Sequence, residues 1–305
     1  MNWINTFEII CYLITLLLLI DIFRKKKLQE LYLFISGAIA GFALELLAVR
    51  ITGIYHYSKS YFISVGMEPF QFPFFGGLMW GGIAVCGLRI AEKFEVSKLM
   101  KALITGWLVV SFDILLDVAA IRLDGGFWVW EGRPITLEIN HHMFMSVIWV
   151  NFLGYLFETP SIVYLTLRFQ KKSEKPTLRN LITAILIGFA GVIIVGIASW
   201  ISLELDKLTD EWFSCIGFIL VWCAIFWQIL HYIFKQKEKL SFKGQKDRTL
   251  LIFWTSIYVY CFFALLQLGI IQAMPIYGAF AIFLIAGTLI LCLLNMNSNS
   301  ANKNI

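Results

Sequence analysis

The chain has 305 residues, of which 59% are hydrophobic, 16% aromatic and 15% charged, with a net charge of +5. Soluble domains are roughly half apolar and about a quarter charged. This composition therefore excludes a single soluble domain, a disordered chain, a fibrous protein and a nucleic-acid-binding protein. It predicts a protein that lies in a lipid bilayer.

Nine segments are long and apolar enough to cross a bilayer, which takes roughly 20 mainly apolar residues. They cover residues 3–23, 31–49, 70–90, 102–122, 143–167, 180–203, 212–234, 250–271 and 275–294. The predicted fold class is all-α, a polytopic membrane bundle of about nine transmembrane helices. We expect residues 1–294 to form one transmembrane domain, with a catalytic half at 40–170 and scaffold helices at 180–294. The Asn- and Ser-rich stretch 295–305 is predicted to be a disordered tail.

Basic residues predict the orientation of the bundle. Twenty of the 25 Lys and Arg residues lie in alternate loops and the tail: 24–30, 89–101, 168–179, 235–248 and 295–305. Because cytoplasmic loops are enriched in Lys and Arg, the N-terminus is predicted outside and the C-terminus inside. The first segment lacks a basic start and a small-residue cleavage site, which favours a retained helix. The expected location is the cell membrane, as a multi-pass protein of a prokaryotic plasma membrane.

Four acidic residues in the second, fourth and fifth predicted membrane segments are candidate functional residues, because an ionisable side chain inside a membrane is a functional hypothesis by default. They are Glu45, Asp113, Asp117 and Glu158. Asp113 and Asp117 are four residues apart and lie on one helix face. Two carboxylates so close repel each other, which favours one keeping its proton and suits an acid and a base in one pocket. The structural alternative is that one caps a backbone group and the other pairs with Arg122 or Arg50.

The predicted orientation also indicates how deep these residues lie in the membrane. Glu45, Asp113 and Asp117 fall in the middle or outer half of their helices, and Asn151 falls in the outer half of the fifth. We therefore expect these four side chains to meet in one pocket. Glu158 is predicted deeper, and a functional and a structural role are both open for it.

Aromatic residues gather in the two long predicted outer loops and beside the glycine-rich third helix. An interfacial aromatic belt and the wall of an apolar cavity both remain open as interpretations. The spacing of Gly77 and Gly81 indicates close approach of a neighbouring helix. The aromatic candidates for the cavity wall are Tyr55, Tyr57, Trp80, Trp128 and Trp130.

No metal or other cofactor is predicted. The six cysteines all lie in apolar segments without a CxxC spacing, which is typical of small apolar core residues. His141 and His142 are candidate metal ligands together with Glu138 and His56. Adjacent histidines point in different directions, however, and their spacing matches no zinc motif.

Six short motifs occur in order over about residues 40–170. They are Leu44-Glu45, Thr52-Gly53-Ile54-Tyr55-His56-Tyr57, Phe72-Pro73 with Trp80, Phe112-Asp113-Ile114-Leu115-Leu116-Asp117, Trp128-Val129-Trp130-Glu131-Gly132 and Val150-Asn151-Phe152-Leu153-Gly154-Tyr155. This ordered set resembles the carotenoid 1,2-hydratase family, which includes lycopene, γ-carotene and bisanhydrobacterioruberin hydratases. The chain departs from the family pattern at Val118, where proline is usual, at Gly53-Ile54-Tyr55-His56, where a glycine-proline-phenylalanine-glycine run is usual, and at the pair His141-His142.

The resemblance implies cofactor-free addition of water to a terminal isoprenoid double bond of a carotenoid or similar polyprenyl lipid. Such a reaction needs a carboxylic acid to protonate the alkene, a second carboxylate to orient water, and aromatic faces to stabilise the cation. The implied catalytic residues are Asp113 or Asp117 as the acid, Glu45 or the other aspartate to position water, and Asn151 in support. The implied substrate-binding residues are Tyr55, Tyr57, Trp80, Trp128, Trp130 and Glu158.

Two other classes of function remain open. An intramembrane prenyltransferase needs a second Asp-rich cluster on the inner side to hold magnesium diphosphate, whereas Asp206 and Asp210 are predicted to face outward. A non-enzymatic protein, such as a proton-linked transporter or an accessory or immunity protein, would use Glu45, Asp113 and Asp117 as a proton or cation site. No inverted repeat of the kind found in many transporters is visible. The predicted partners are the lipid bilayer and an apolar isoprenoid or carotenoid, and no nucleic acid.

Overall fold

The computed structural model describes residues 2–53 and 55–296, and this part of the chain contains ten helices. Eight of them are long and apolar enough to cross a membrane by length and composition, and α5 is a ninth long helix. All nine predicted segments correspond to these long helices, which confirms the all-α polytopic bundle. The helices are α1 Trp3–Arg24, α2 Leu28–Ile51, α3 Phe74–Ala91, α4 Lys98–Ala120, α5 Trp149–Phe169, α6 Leu178–Thr209, α7 Trp212–Lys235, α8 Arg248–Gln267, α9 Ile270–Ala273 and α10 Pro275–Leu293.

Short antiparallel strand pairs order the loops between the helices. The pairs are β1 with β4, β2 with β3, β5 with β6 and β7 with β8. The strands are β1 Tyr55–Tyr57, β2 Ser64–Val65, β3 Phe72–Pro73, β4 Trp128–Trp130, β5 Met143–Phe144, β6 Val147–Ile148, β7 Leu240–Ser241 and β8 Asn295–Met296. The predicted tail 295–305 thus begins with β8, and its remaining residues 297–305 lie outside the described residues.

Local sequence signals explain where several helices begin. The side chains of Asn2, Ser97, Thr177 and Asp247 each accept a hydrogen bond from a backbone N–H three residues later. Such caps satisfy donors that the first helical turn leaves free. The predicted starts at residues 70 and 143 were several residues early, because apolar residues there form β3 and the β5–β6 hairpin.

Helix α4 lies at the centre of the bundle and packs against α3, α5, α7, α8 and α10. Helix α2 packs closely on α3, where a Cβ added at Gly37 would lie 2.9 Å from the Cα of Gly81. A Cβ added at Gly77 would lie 2.5 Å from the ring of Phe42. The close helix approach predicted from Gly77 and Gly81 is confirmed, and it sets α2 against the helices that carry the site.

The two ends of the bundle differ in chemistry. We call the end that holds the start of α1 and the loops 52–73 and 121–148 the outer end, following the charge asymmetry of the sequence. At the opposite, inner end the buried guanidinium of Arg89 contacts Asp21 at 2.9 Å and Asp247 at 3.1 Å, and it also bonds Glu30. This charge cluster joins α1, α2 and α3 to the cap of α8.

Candidate functional site

A cavity of about 230 Å³ lies toward the outer end, between the helices and the β1–β4 strand pair. Its lining includes nine of the ten residues that the sequence singled out for function; Glu158 is the exception. The remaining lining is mainly apolar, which suits a lipid ligand. The nine residues are Glu45, Tyr55, Tyr57, Trp80, Asp113, Asp117, Trp128, Trp130 and Asn151.

Glu45 is held by two tyrosines of the first outer loop. Its Oε2 atom accepts hydrogen bonds from the hydroxyls of Tyr55 at 2.6 Å and Tyr57 at 2.8 Å. Burial, and secondly the neighbouring Glu45 carboxyl group, raise the pKa of both tyrosines well above the ordinary value. Both hydroxyls therefore keep their protons at neutral pH and remain donors to Glu45.

The β1–β4 pair brings the aromatic residues of the two outer loops together. Tyr55 lies opposite Trp130, and Tyr57 lies opposite Trp128. The ring centroids are 5.1 Å and 6.1 Å apart in these two pairs. Positive φ angles at Gly125–Gly126 turn the chain between α4 and β4, a conformation that glycine adopts readily. These aromatic side chains line the cavity, so the cavity-wall interpretation holds for them.

The tryptophans of β4 also carry buried polar groups. The indole N–H groups of Trp128 and Trp130 are buried and have no hydrogen-bond partner among the described residues. A buried donor without a partner carries a desolvation penalty of about 1–3 kcal/mol. A bound water or ligand oxygen would remove that penalty.

Asp113 and Asp117 lie one turn apart on α4 in different surroundings. Oδ2 of Asp117 accepts a hydrogen bond of 2.8 Å from the side-chain amide of Asn151. Oδ2 of Asp113 is buried and has no hydrogen-bond partner within the described part of the chain. Arg122 donates to backbone carbonyls, including that of Val118 at 2.7 Å, and the described residues place no arginine against either aspartate. The pairing with Arg122 or Arg50 considered from the sequence is therefore not found among the described residues.

Helices outside the predicted catalytic half also contribute to the site. From α10, the hydroxyl of Tyr277 donates to the carbonyl of Ile114, between the two aspartates, at 3.0 Å. From α6, Val195, Ser199 and Leu203 line the cavity. Sequence reasoning placed α6 with the scaffold, because small and apolar residues on a membrane helix carry no signal that separates a cavity wall from a lipid-facing surface.

Glu158 lies two turns beyond Asn151 on α5 and is fully buried. Neither of its carboxylate oxygens has a hydrogen-bond partner among the residues that the structure describes. It does not belong to the cavity lining. Its assignment to substrate binding stays a prediction.

Glu8 in α1 is a further buried acid that was not singled out in the sequence. Its carboxylate accepts hydrogen bonds from the backbone N–H groups of Phe62 at 2.7 Å and Ile63 at 3.0 Å. These contacts hold the first outer loop against α1. The signal that could have found Glu8 was present, since it is an acidic residue within the first predicted membrane segment.

The metal ligand set considered from the sequence does not assemble in the structure. His56 pairs with Glu131 across the β1–β4 pair, with 2.5 Å between Nδ1 and Oε1. Glu138 accepts a hydrogen bond from Asn140 at 2.9 Å. His141 and His142 instead lie against the turn between α6 and α7.

A family model described as "Carotenoid biosynthesis protein" matches residues 5–209. The chain belongs to this family. The match is wider than the motifs at 40–170, and it runs from the first turn of α1 to the end of α6, with every residue that lines the cavity inside it. No curated protein and no solved structure matches the chain.

Proposed function

We propose that this carotenoid biosynthesis family protein adds water, by acid catalysis, to a terminal isoprenoid double bond of a carotenoid or similar polyprenyl lipid. The observation that carries the proposal is the pair Asp113 and Asp117, two carboxyl groups in different surroundings within one aromatic-lined cavity. Two carboxyl groups whose environments differ suit the roles of acid and base in one site.

In the proposed reaction, Asp113 transfers its proton to the less substituted carbon of the terminal double bond, which leaves a tertiary carbocation at the other alkene carbon. A water oxygen then bonds to the cationic carbon, while Asp117, oriented by Asn151, takes the proton that the water loses. A proton returns from Asp117 to Asp113 one helical turn away, so the cycle consumes only alkene and water. Asp113 is assigned the donor role because its Oδ2 has no partner among the described residues.

The cavity wall supplies stabilisation for the cation. Faces of Trp80, Trp128, Trp130 and Tyr57 are suited to cation–π interaction, which contributes about 0.5–2 kcal/mol per contact. Glu45, held by two hydroxyl donors, is placed to position water or to stabilise positive charge. A volume of about 230 Å³ suits the end of a long polyprenyl chain rather than its full length, which supports reaction at a terminal double bond.

Lipid analysis tests the proposal directly. We expect a host that makes an acyclic carotenoid to accumulate a product heavier by one water molecule when it expresses the chain, and not when it carries the empty vector. Unchanged carotenoids would contradict the proposal. Proton-coupled uptake that is lost in the Asp113→Asn and Asp117→Asn variants, without any lipid turnover, would favour a transporter. Magnesium-dependent release of diphosphate would favour a prenyltransferase.

The two tyrosines at Glu45 provide a second test. We expect Tyr57→Phe to lower turnover roughly ten- to a hundredfold, because a hydrogen bond to a charged group contributes about 1.5–3 kcal/mol. Tyr55→Phe removes the other donor to the same oxygen and should act similarly. The measurement is the initial rate of product formation in membranes normalised to protein amount.

A matched control for these variants is Tyr260→Phe. Its hydroxyl donates to the carbonyl of Trp3 at 2.9 Å, and it does not line the cavity. We expect its turnover to stay near that of the wild type. Equal rates in all three variants would show that the contacts with Glu45 contribute nothing to the reaction.

A further inference from the structure

Two adjacent histidines of the second outer loop lie against the turn that joins α6 to α7. Nε2 of His141 is 3.4 Å from Oδ2 of Asp210, and Nδ1 of His142 is 3.2 Å from Oε2 of Glu211. The two imidazole rings are 3.8 Å apart. One ligand atom each from His141, His142 and Asp210 lies within 4.8 Å of the others. Three groups that commonly bind transition metals thus lie around one point, and a fourth, Glu211, contacts His142.

We propose that His141, His142 and Asp210, with Glu211 beside His142, bind a divalent transition-metal cation, with zinc as the best match. Zinc bonds to nitrogen and oxygen are about 2.0–2.2 Å long, so neighbouring ligand atoms of a tetrahedral site lie roughly 3.3–3.5 Å apart. The two histidine–carboxylate distances of 3.4 Å and 3.2 Å are close to this spacing. The side chain of Asp210 is 80% exposed, so its rotamer is free to adjust when a cation binds.

The charge and chemistry of the four groups favour zinc over the alkaline-earth cations. Two carboxylates offset the charge of a dication, and Arg133 contacts the other oxygen of Glu211 at 3.4 Å. Neutral imidazoles suit zinc, whereas magnesium and calcium prefer sites made of oxygen atoms alone. Although the two histidines are adjacent in the chain, Nε2 of His141 and Nδ1 of His142 both face the turn between α6 and α7.

The backbone and neighbouring side chains hold these groups in position without a cation. The ring of His141 stacks on Trp212, with 4.5 Å between centroids and 3° between planes. Oδ1 of Asn140 accepts the backbone N–H of His142 at 2.9 Å. The residues Asp210–Glu211 adopt the left-handed conformation, with φ angles of 52° and 65°. Supporting contacts of this kind orient ligands in metal sites.

The site is placed to link the outer loop to the helices around the cavity. A second cavity, of about 580 Å³, is lined by His142, Asp210 and Glu211, and it shares Val150 and Leu203 with the first. A cation bound there would join the loop 131–148 to the α6–α7 turn, next to the proposed reaction site. This inference does not rest on the hydratase proposal, because the ligand set stands apart from Asp113 and Asp117.

The test uses the purified full-length protein in detergent, stripped of metal and without a histidine tag. We expect calorimetric titration with zinc to show one site per chain, and elemental analysis after desalting to recover one zinc. Magnesium at a hundredfold excess should not compete. An absence of saturable binding at micromolar zinc would overturn the proposal.

Single variants locate the site. We expect His142→Ala and Asp210→Asn each to weaken zinc binding at least about tenfold. Asp210 is highly exposed, with an 80% exposed side chain, so its variant should fold normally. The matched control is His231→Ala in α7, which should bind zinc as the wild type does. Wild-type affinity in both site variants would place the bound zinc elsewhere and refute the assignment.

Discussion

Asp113→Asn and Asp117→Asn are each expected to lower product formation at least about a hundredfold, because general acid–base catalysis contributes about 10²- to 10⁴-fold. An amide at residue 113 cannot protonate an alkene, and an amide at residue 117 cannot take a proton from water. The measurement is the amount of hydrated carotenoid formed per unit of inserted protein, compared over a time course.

Asp124→Asn is the matched control for these two variants. Oδ2 of Asp124 accepts the backbone N–H of Ile4 at 3.1 Å, at the start of α1, and an asparagine oxygen can keep this bond. The control removes a carboxylate at the outer end without touching the cavity lining. We expect near wild-type activity in the control. Wild-type rates in both aspartate variants would show that the acid and base are assigned wrongly.

Arg89→Ala is expected to lower the free energy of unfolding by about 3–5 kcal/mol, the usual effect of removing one partner from a buried ion pair. The side chain of Arg89 is only 4% exposed, and it contacts Asp21, Glu30 and Asp247. Its loss leaves three carboxylates close together without the guanidinium between them. Unfolding in detergent, followed by circular dichroism against denaturant, measures the change.

Two further variants serve as comparisons for Arg89→Ala. Arg89→Lys keeps the positive charge but cannot bond several carboxylates with a planar fork, so we expect an intermediate loss. Lys239→Ala breaks an exposed pair with Glu95, and exposed pairs contribute about 0–1 kcal/mol. Equal stability of Arg89→Ala and Lys239→Ala would show that the buried cluster does not hold the inner end together.

Much of the candidate site is visible in the amino-acid sequence alone, for a physical reason. Burial of an acidic residue in a membrane segment is energetically unfavourable, so Glu45, Asp113 and Asp117 stand out from their apolar neighbours along the chain. The alternation of helix direction then predicts that they and Asn151 lie at similar depth, and the structure brings all four to one cavity.

The donors to Glu45 could not have been predicted from the same pattern. Tyr55 and Tyr57 were identified as aromatic residues, but their hydroxyl contacts depend on the β1–β4 pair, which joins segments about 70 residues apart. The contacts of His141 and His142 with Asp210 and Glu211 depend likewise on a loop meeting a distant helix turn. The spacing of residues along the chain does not indicate contacts between segments that are distant in sequence.

Hydropathy and charge patterns were sufficient for the membrane bundle, its long helices and its predicted orientation, because the bilayer imposes the same length and polarity on every crossing segment. Helix starts and the partners of polar side chains followed from tertiary structure. Hydrogen bonds between distant loops decided that aromatic residues form a cavity wall. Packing of α6 on α2 and α5, and of α10 on α4, decided that these two helices support the site, because contacts between helices depend on shape in three dimensions.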